Sequence, residues 1–138
     1  MATEFDARCK AAGVTLSLDL AATQDVGADP IQARRLIQNL IDNALAHAAG
    51  LTRLRIVTRD TADGTELSVE DDGAGVTTAD LPRLFDRFYR TDKSRRAGGS
   101  GLGLSIVRQV AELHGGSAGA EPARPKGLRV IVTIPRVD

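Results

Sequence analysis

Thr65-Glu66-Leu67-Ser68-Val69-Glu70-Asp71-Asp72-Gly73-Ala74-Gly75 is the stretch on which the fold turns. Leu67 and Val69 alternate with polar neighbours, the period of a half-buried strand. Asp71 shares their parity, so its carboxylate projects toward the buried face just where the strand meets a glycine turn. A buried carboxylate needs a donor, supplied either by local backbone amides or by a ligand. Gly73 and Gly75 fit an ordinary turn, and they also fit a backbone that a ligand approaches closely. Upstream, Arg53 to Arg59 reads as a second strand. The turn at Asp60 to Gly64, with its Asp63-Gly64 pair, joins the two strands antiparallel.

Working outward, Asp29-Pro30 is a helix start, a capping carboxylate ahead of the residue favoured at the first helical position. The helix runs to about Ala49 and is closed by Gly50. Its apolar stripe is Ile31, Leu36, Ile37, Leu40, Ile41, Ala44 and Leu45, which leaves Asn39 and Asn43 side by side elsewhere on its surface. Before it, Thr3 to Ala12 reads as a short helix ended by Gly13, and Val14, Leu16, Leu18 and Leu20 alternate as a half-buried strand. After the Asp71 turn, Ala79 to Phe88 reads as a helix and Thr91 to Ser100 as a polar loop rich in Gly and Arg. A second long helix spans Leu102 to His114 and stops at Gly115-Gly116. A Pro/Gly turn covers Glu121 to Gly127, and Val130, Val132 and Ile134 form a last strand. The expected fold is α+β: a two-layer α/β sandwich with a mixed, mostly antiparallel sheet and helices on one face. Residues 1–138 form a single domain.

Composition removes several classes of function. Eighteen basic side chains balance eighteen acidic ones, and three Phe, one Tyr and no Trp leave little for base stacking, so nucleic acid is not an expected partner. Cys9 is the lone cysteine and no Cys/His cluster has metal-ligand spacing, which fits a reducing compartment. No apolar run approaches the roughly 20 residues that span a bilayer, and the first ten residues lack a signal-peptide core. A cytoplasmic chain is expected, from a parent that the membrane can anchor.

Two further patterns carry chemistry. Asn is a mediocre helix former, so Asn39 and Asn43 on one helical face cost propensity and invite either solvent or a ligand. Gly99-Ser100-Gly101-Leu102-Gly103-Leu104 sets alternating glycines at a helix start, where free amides and the helix dipole favour phosphate. Arg87, Arg90, Lys93, Arg95 and Arg96 precede it and Asp86 and Asp92 offset them only in part, as suits a cationic lid over a polyphosphate. Phe85 and Phe88, three apart, read as core anchors for that lid.

Taken in order, Asn39 to Ala44, Asp71 to Gly75, Phe85 to Arg90 and Gly99 to Leu104 resemble the N, G1, F and G2 boxes of the histidine-kinase ATP-binding domain. That family belongs to the Bergerat-fold superfamily, with gyrase B subunits and MutL-type repair ATPases. The resemblance runs from about Phe5 to Pro135. It implies that Asp71 accepts from the exocyclic amine of adenine, with Gly73, Gly75 and Val76 as pocket wall. It also implies that Asn43 ligates Mg²⁺ through its amide oxygen, with Asn39 beside it. A lid at about 85–104 would close over the nucleotide, with Arg87, Phe88, Arg90, Gly99, Ser100, Gly101, Leu102, Gly103 and Leu104 at the phosphates. Related ATPases usually have a water-activating Glu where this chain has Asn39, which has no basicity at neutral pH, and this favours kinase over hydrolase.

The chain departs from the family pattern at three places. Ala46 stands where a basic residue is common, His47 follows it as a possible phosphate donor, and Gly127-Leu128 replaces a common Gly-Thr. Neither His47 nor His114 is followed by the acidic residue of a phosphoacceptor box. The implied reading is the catalytic part of a longer sensor kinase that binds Mg-ATP and presents the γ-phosphate to a histidine on separate dimerisation helices, with a response regulator downstream. An ATPase, or a nucleotide-gated binding module without transfer, is the competing reading.

Overall fold

The computed structural model describes residues 2–20, 30–47, 50–86, 103–124 and 126–135. Helix α1 (Ala2–Ala11) leads into β1 (Thr15–Leu20), α2 (Pro30–His47), β2 (Arg53–Asp60) and β3 (Gly64–Asp71). A 3-10 turn at Leu81–Arg83 follows, then α3 (Gly103–Leu113), β4 (Ser117–Pro122) and β5 (Leu128–Pro135). The strands form one sheet in the order β1-β2-β3-β5-β4. Only β1 and β2 run parallel; every other pairing is antiparallel.

Glycines end two of the helices. After α1, Gly13 takes φ 75°, its amide reaches the Lys10 carbonyl, and the Val14 amide reaches that of Cys9 at 2.8 Å. After α3, Gly115 and Gly116 repeat the arrangement on Glu112 and Ala111. These paired bonds satisfy carbonyls that a helix end leaves open. Gly116 has a second constraint, since a Cβ there would lie 1.9 Å from the Thr133 carbonyl oxygen.

The described α-helices lie on one face of the sheet. The stripe read along α2 is buried from Leu36 onward, whereas Ile31 at its start is 77% exposed: Leu36, Leu40, Ile41 and Ala44 pack with Val107, Val110 and Ala111 of α3 and with Leu54, Ile56, Val69, Val130 and Val132 of the strands. Cys9 joins this core, fully buried, and burial pushes its thiol pKa up. An Arg8–Asp42 ion pair ties α1 to α2.

Three expectations need correction. The helix expected over Ala79 to Phe88 is, as far as Asp86, a 3-10 turn. The Arg83, Leu84 and Asp86 amides each reach back three residues, and Pro82 has no amide to give. Upstream, Thr77 and Asp80 bond each other through side chains and backbone, closing a turn before Leu81. Second, Glu121 and Pro122 are not turn residues but the end of β4, a strand absent from the sequence reading. Its Ser-Ala-Gly-Ala-Glu-Pro run has little β propensity, and it is an edge strand, where a proline without an amide does no harm. Third, β1 is not half-buried along its length: Val14 just before it is buried and Leu16 is partly so, but Leu18 and Leu20 are 43% and 59% exposed, and β1 is the other edge of the sheet.

Candidate functional site

The site gathers where β3 ends. Strand parity carries Asp71 to the helix-covered face, and it is 8% exposed. Two backbone amides reach its Oδ1, Gly73 at 3.0 Å and Leu128 at 3.2 Å. No donor from the described residues reaches Oδ2. Burial raises the pKa of Asp71 above the ordinary 3.8, the two amides pull it down, and the nearby charges of Asp72 and Glu70 add to the rise. The local-amide and ligand readings of this carboxylate therefore divide between its two oxygens: the backbone satisfies one, and the other is open.

Two glycines let chain segments meet there. Gly127 has φ 106°, and a Cβ on it would sit 2.0 Å from the Asp71 carbonyl oxygen and 2.8 Å from Oδ1. Gly75 has φ 75° and lies against Gly127, where a Cβ on Gly75 would sit 3.0 Å from the Gly127 carbonyl oxygen. Only glycine tolerates both the backbone conformation and the approach. Val76 beyond the turn packs partly buried against the core.

Asp72 turns the other way. Its Oδ1 accepts the Thr52 and Arg53 amides, both at 2.9 Å, and its Oδ2 accepts the Thr52 hydroxyl. Some desolvation pushes its pKa up, but the bonds from Thr52 and Arg53 outweigh it and hold the carboxyl at about 2.

Helix α2, which carries the asparagines, packs against β3. Asn39 and Asn43 are half-buried, and the Asn39 side-chain amide donates back to the Arg35 carbonyl at 2.8 Å. Among the described residues no three His, Cys, Asp or Glu side chains cluster to hold a metal. A hard cation here would have an amide oxygen of Asn43 and the oxygens of its own ligand, a set that suits Mg²⁺ and not a protein-caged metal. His47 ends α2. On the lid side, Phe85 and Leu104 are buried in the common core, and Gly103 opens α3. Arg87, Phe88, Arg90, Gly99, Ser100, Gly101 and Leu102 lie outside the described residues.

The sequence reading missed Asp72, Thr52, Gly127 and the Leu128 amide. Leu128 it named only as a departure from the family's Gly-Thr pair, whereas the contribution is the backbone amide that any residue brings. Gly127 carried a signal in a glycine just ahead of a strand. Asp72 carried none, because its partners lie 19 and 20 residues upstream.

A buried carboxylate with one oxygen satisfied sits at a glycine turn where β3 ends. The family model for histidine kinase-, DNA gyrase B-, and HSP90-like ATPases matches residues 28–138. The chain belongs to that family and, within it, is a catalytic domain of the histidine-kinase kind. Its relatives include the sensor histidine kinase component HK1 of Mycobacterium tuberculosis, 36% identical over 132 residues, covering 96% of this chain and 77% of the relative. The sensor protein IrlS of Burkholderia pseudomallei is 42% identical over 99 residues, which is 70% of this chain and 21% of IrlS. The chain thus spans about a fifth of the length of that relative. Among solved structures, the ATP-binding domain of PrrB from Mycobacterium tuberculosis is 28% identical, with a TM-score of 0.75 over 99% of this chain and 95% of that one. No described helix is long and apolar enough to cross a membrane.

Proposed function

We propose that this domain binds Mg-ATP at the β3 end of the sheet and presents the γ-phosphate to a histidine on separate dimerisation helices of a sensor kinase, whose phosphate then passes to a response regulator. The observation that carries this reading is the split environment of Asp71. Two amides orient the carboxylate through Oδ1, and Oδ2 keeps its lone pairs for a donor from outside, as the adenine amine would supply. The other assignments follow the family boxes. Gly73, Gly75 and Val76 wall the base, and Asn43 holds Mg²⁺ through its amide oxygen. The lid with Arg87, Phe88 and Arg90, the Gly99 to Leu104 run and His47 lie toward the phosphates. Bound Mg²⁺ supplies charge neutralisation across the phosphate oxygens. The protein's own contribution is positioning and fixed positive potential, which is most of what phosphoryl transfer asks of it.

Asn39 favours transfer over hydrolysis. It has no basic atom with which to activate water, and its amide group is engaged with its own helix backbone. The isolated domain is therefore expected to bind ATP with negligible phosphate release. Mixing it with an acceptor-helix fragment and labelled ATP tests this: acid-labile, base-stable phosphate on the fragment is the expected product. Rapid phosphate release by the domain alone, abolished by Asn39→Ala, would establish the ATPase reading in its place.

A further inference from the structure

We infer that Asp72 is a positioning residue for nucleotide recognition, a carboxylate fork that fixes Asp71 relative to the helix carrying Asn39 and Asn43. This rests on the assignment of Asp71 to the adenine amine.

The geometry is as follows. Asp71 is the last residue of β3, paired with Leu54 of β2. One step further, no backbone pair continues the ladder between these strands; the Asp72 side chain takes its place and accepts the amides of Thr52 and Arg53 and the Thr52 hydroxyl. Thr52 is itself a junction, since its carbonyl accepts the Thr15 amide at 2.9 Å and so holds the start of β1. The segment thus gripped is the exit of α2, just after Gly50 turns the chain at φ 75°. Asp71 is therefore held on two sides. Gly73 and Leu128 fix its carboxylate from within the turn and from β5, and Asp72 fixes its backbone to the exit of α2. Three charge-assisted bonds on one carboxylate are strong and directional. Without them the turn could slide relative to α2 while the core stayed packed, because Leu54, Val69 and the α2 stripe do not depend on Asp72. Asp72 then serves the ligand site from outside it.

The test is Asp72→Ala in the domain as it stands, titrated by calorimetry with Mg-ATP and with the triphosphate of purine riboside, which lacks the exocyclic amine. The expected result is a loss of about tenfold in ATP affinity, the usual scale for removing a support behind a ligand-binding group, with little change for the amine-free analogue. Asp72→Asn keeps an acceptor for the Thr52 and Arg53 amides and should restore most of the preference for ATP. Equal losses on both nucleotides would overturn the inference, since a loosened fold weakens both. If Asp72→Ala does not fold, Thr52→Val removes one arm of the fork. It should lower ATP affinity by a smaller factor in the same direction, and unchanged affinity would overturn the idea. Asp71→Asn is run alongside. If it leaves ATP affinity intact, the adenine assignment fails, and the inference with it. If it lowers affinity while Asp72→Ala does not, only the positioning role fails. Combining Asp71→Asn with Asp72→Ala should add little to Asp71→Asn alone, and fully additive losses would show that Asp72 acts by another route.

Discussion

The two faces of the sheet treat charge in opposite ways. On the open face, Arg55, Arg59, Glu70, Glu121 and Arg129 stand around Val57 and Ser68 and line a groove of about 630 Å³. There Glu66 pairs with Arg59 at 3.0 Å and Arg129 at 3.2 Å, Arg129 reaches Glu121 at 2.6 Å, and Arg55 reaches Asp19 at 3.4 Å. On the covered face the strands offer Leu54, Ile56, Val69, Val130 and Val132. Among the described residues the buried charge there is Asp71, with one oxygen satisfied and one open. Ionic density is thus a poor guide to function in this molecule. The crowded charges answer one another across strands, and the isolated one is turned toward whatever enters from outside.

The sharpest break of that comparison is a truncation on the covered face. Leu54 is fully buried, and Leu54→Ala is expected to cost about 2–5 kcal/mol in denaturant melts, enough to unfold a marginal domain. A cost below about 1 kcal/mol would mean that the covered face is not the core. Next in size is Asp71→Asn. The amide oxygen still accepts from Gly73 and Leu128, so the fold should survive, whereas ATP affinity should fall about 10- to 100-fold, the worth of a charged hydrogen bond. Its stability effect has a definite sign. The folded-state pKa of Asp71 lies above 3.8, so stability falls as pH rises through the interval above that value. Asn lacks this penalty, and the Tm at pH 7 should be equal or higher; a clear drop would place the role of Asp71 in folding.

Asp72 gives the opposite sign. Its carboxyl is held at about 2 against an ordinary 3.8, so its stabilisation is complete above pH 4 and is lost as pH falls from 4 toward 2. An acid melt of Asp72→Asn should be flatter than wild type across that window, and an identical acid limb would contradict the fork. The smallest effect belongs to the open face. Arg59 is 60% exposed in its pair with Glu66, and Arg59→Ala should change stability by no more than about 0.5 kcal/mol, shrinking further in salt. A larger, salt-insensitive cost would mean that the open face is more than a solvated mesh.

How far these contrasts can be read from the chain depends on how local their causes are. The α2 stripe from Leu36 onward, the alternation into Asp71 and the Gly13 and Gly115-Gly116 stops are written within a few residues of where they act, and each stands where the sequence places it; Ile31, read as part of the stripe, is exposed. The hairpin loop centres one residue earlier than Asp63-Gly64, because the Thr61 amide and hydroxyl both bond the Gly64 carbonyl and its amide returns to the hydroxyl. Strand β4 is invisible locally, since Ala and Gly earn their place by fitting beside β5 and not by propensity. The same holds for the site. Asp71 is legible from parity, but the amide that completes its anchoring comes from Leu128 and the fork that steadies it from Asp72 to Thr52. Those are facts of topology, and no window of sequence contains both ends.

The bond from Leu128 to Asp71 spans 57 residues, and that span has a consequence for synthesis. As the chain leaves a ribosome, α1, β1, α2, β2 and β3 emerge first, and their contacts are mostly between neighbours. The Asp71 carboxylate is by then held by the Gly73 amide alone, and it stays so until β5 slots between β3 and β4. Long-range closures of this kind form late. A nascent domain arrested before residue 128 should therefore have a hairpin and no nucleotide affinity, and the appearance of ATP binding would time the moment at which β5 docks.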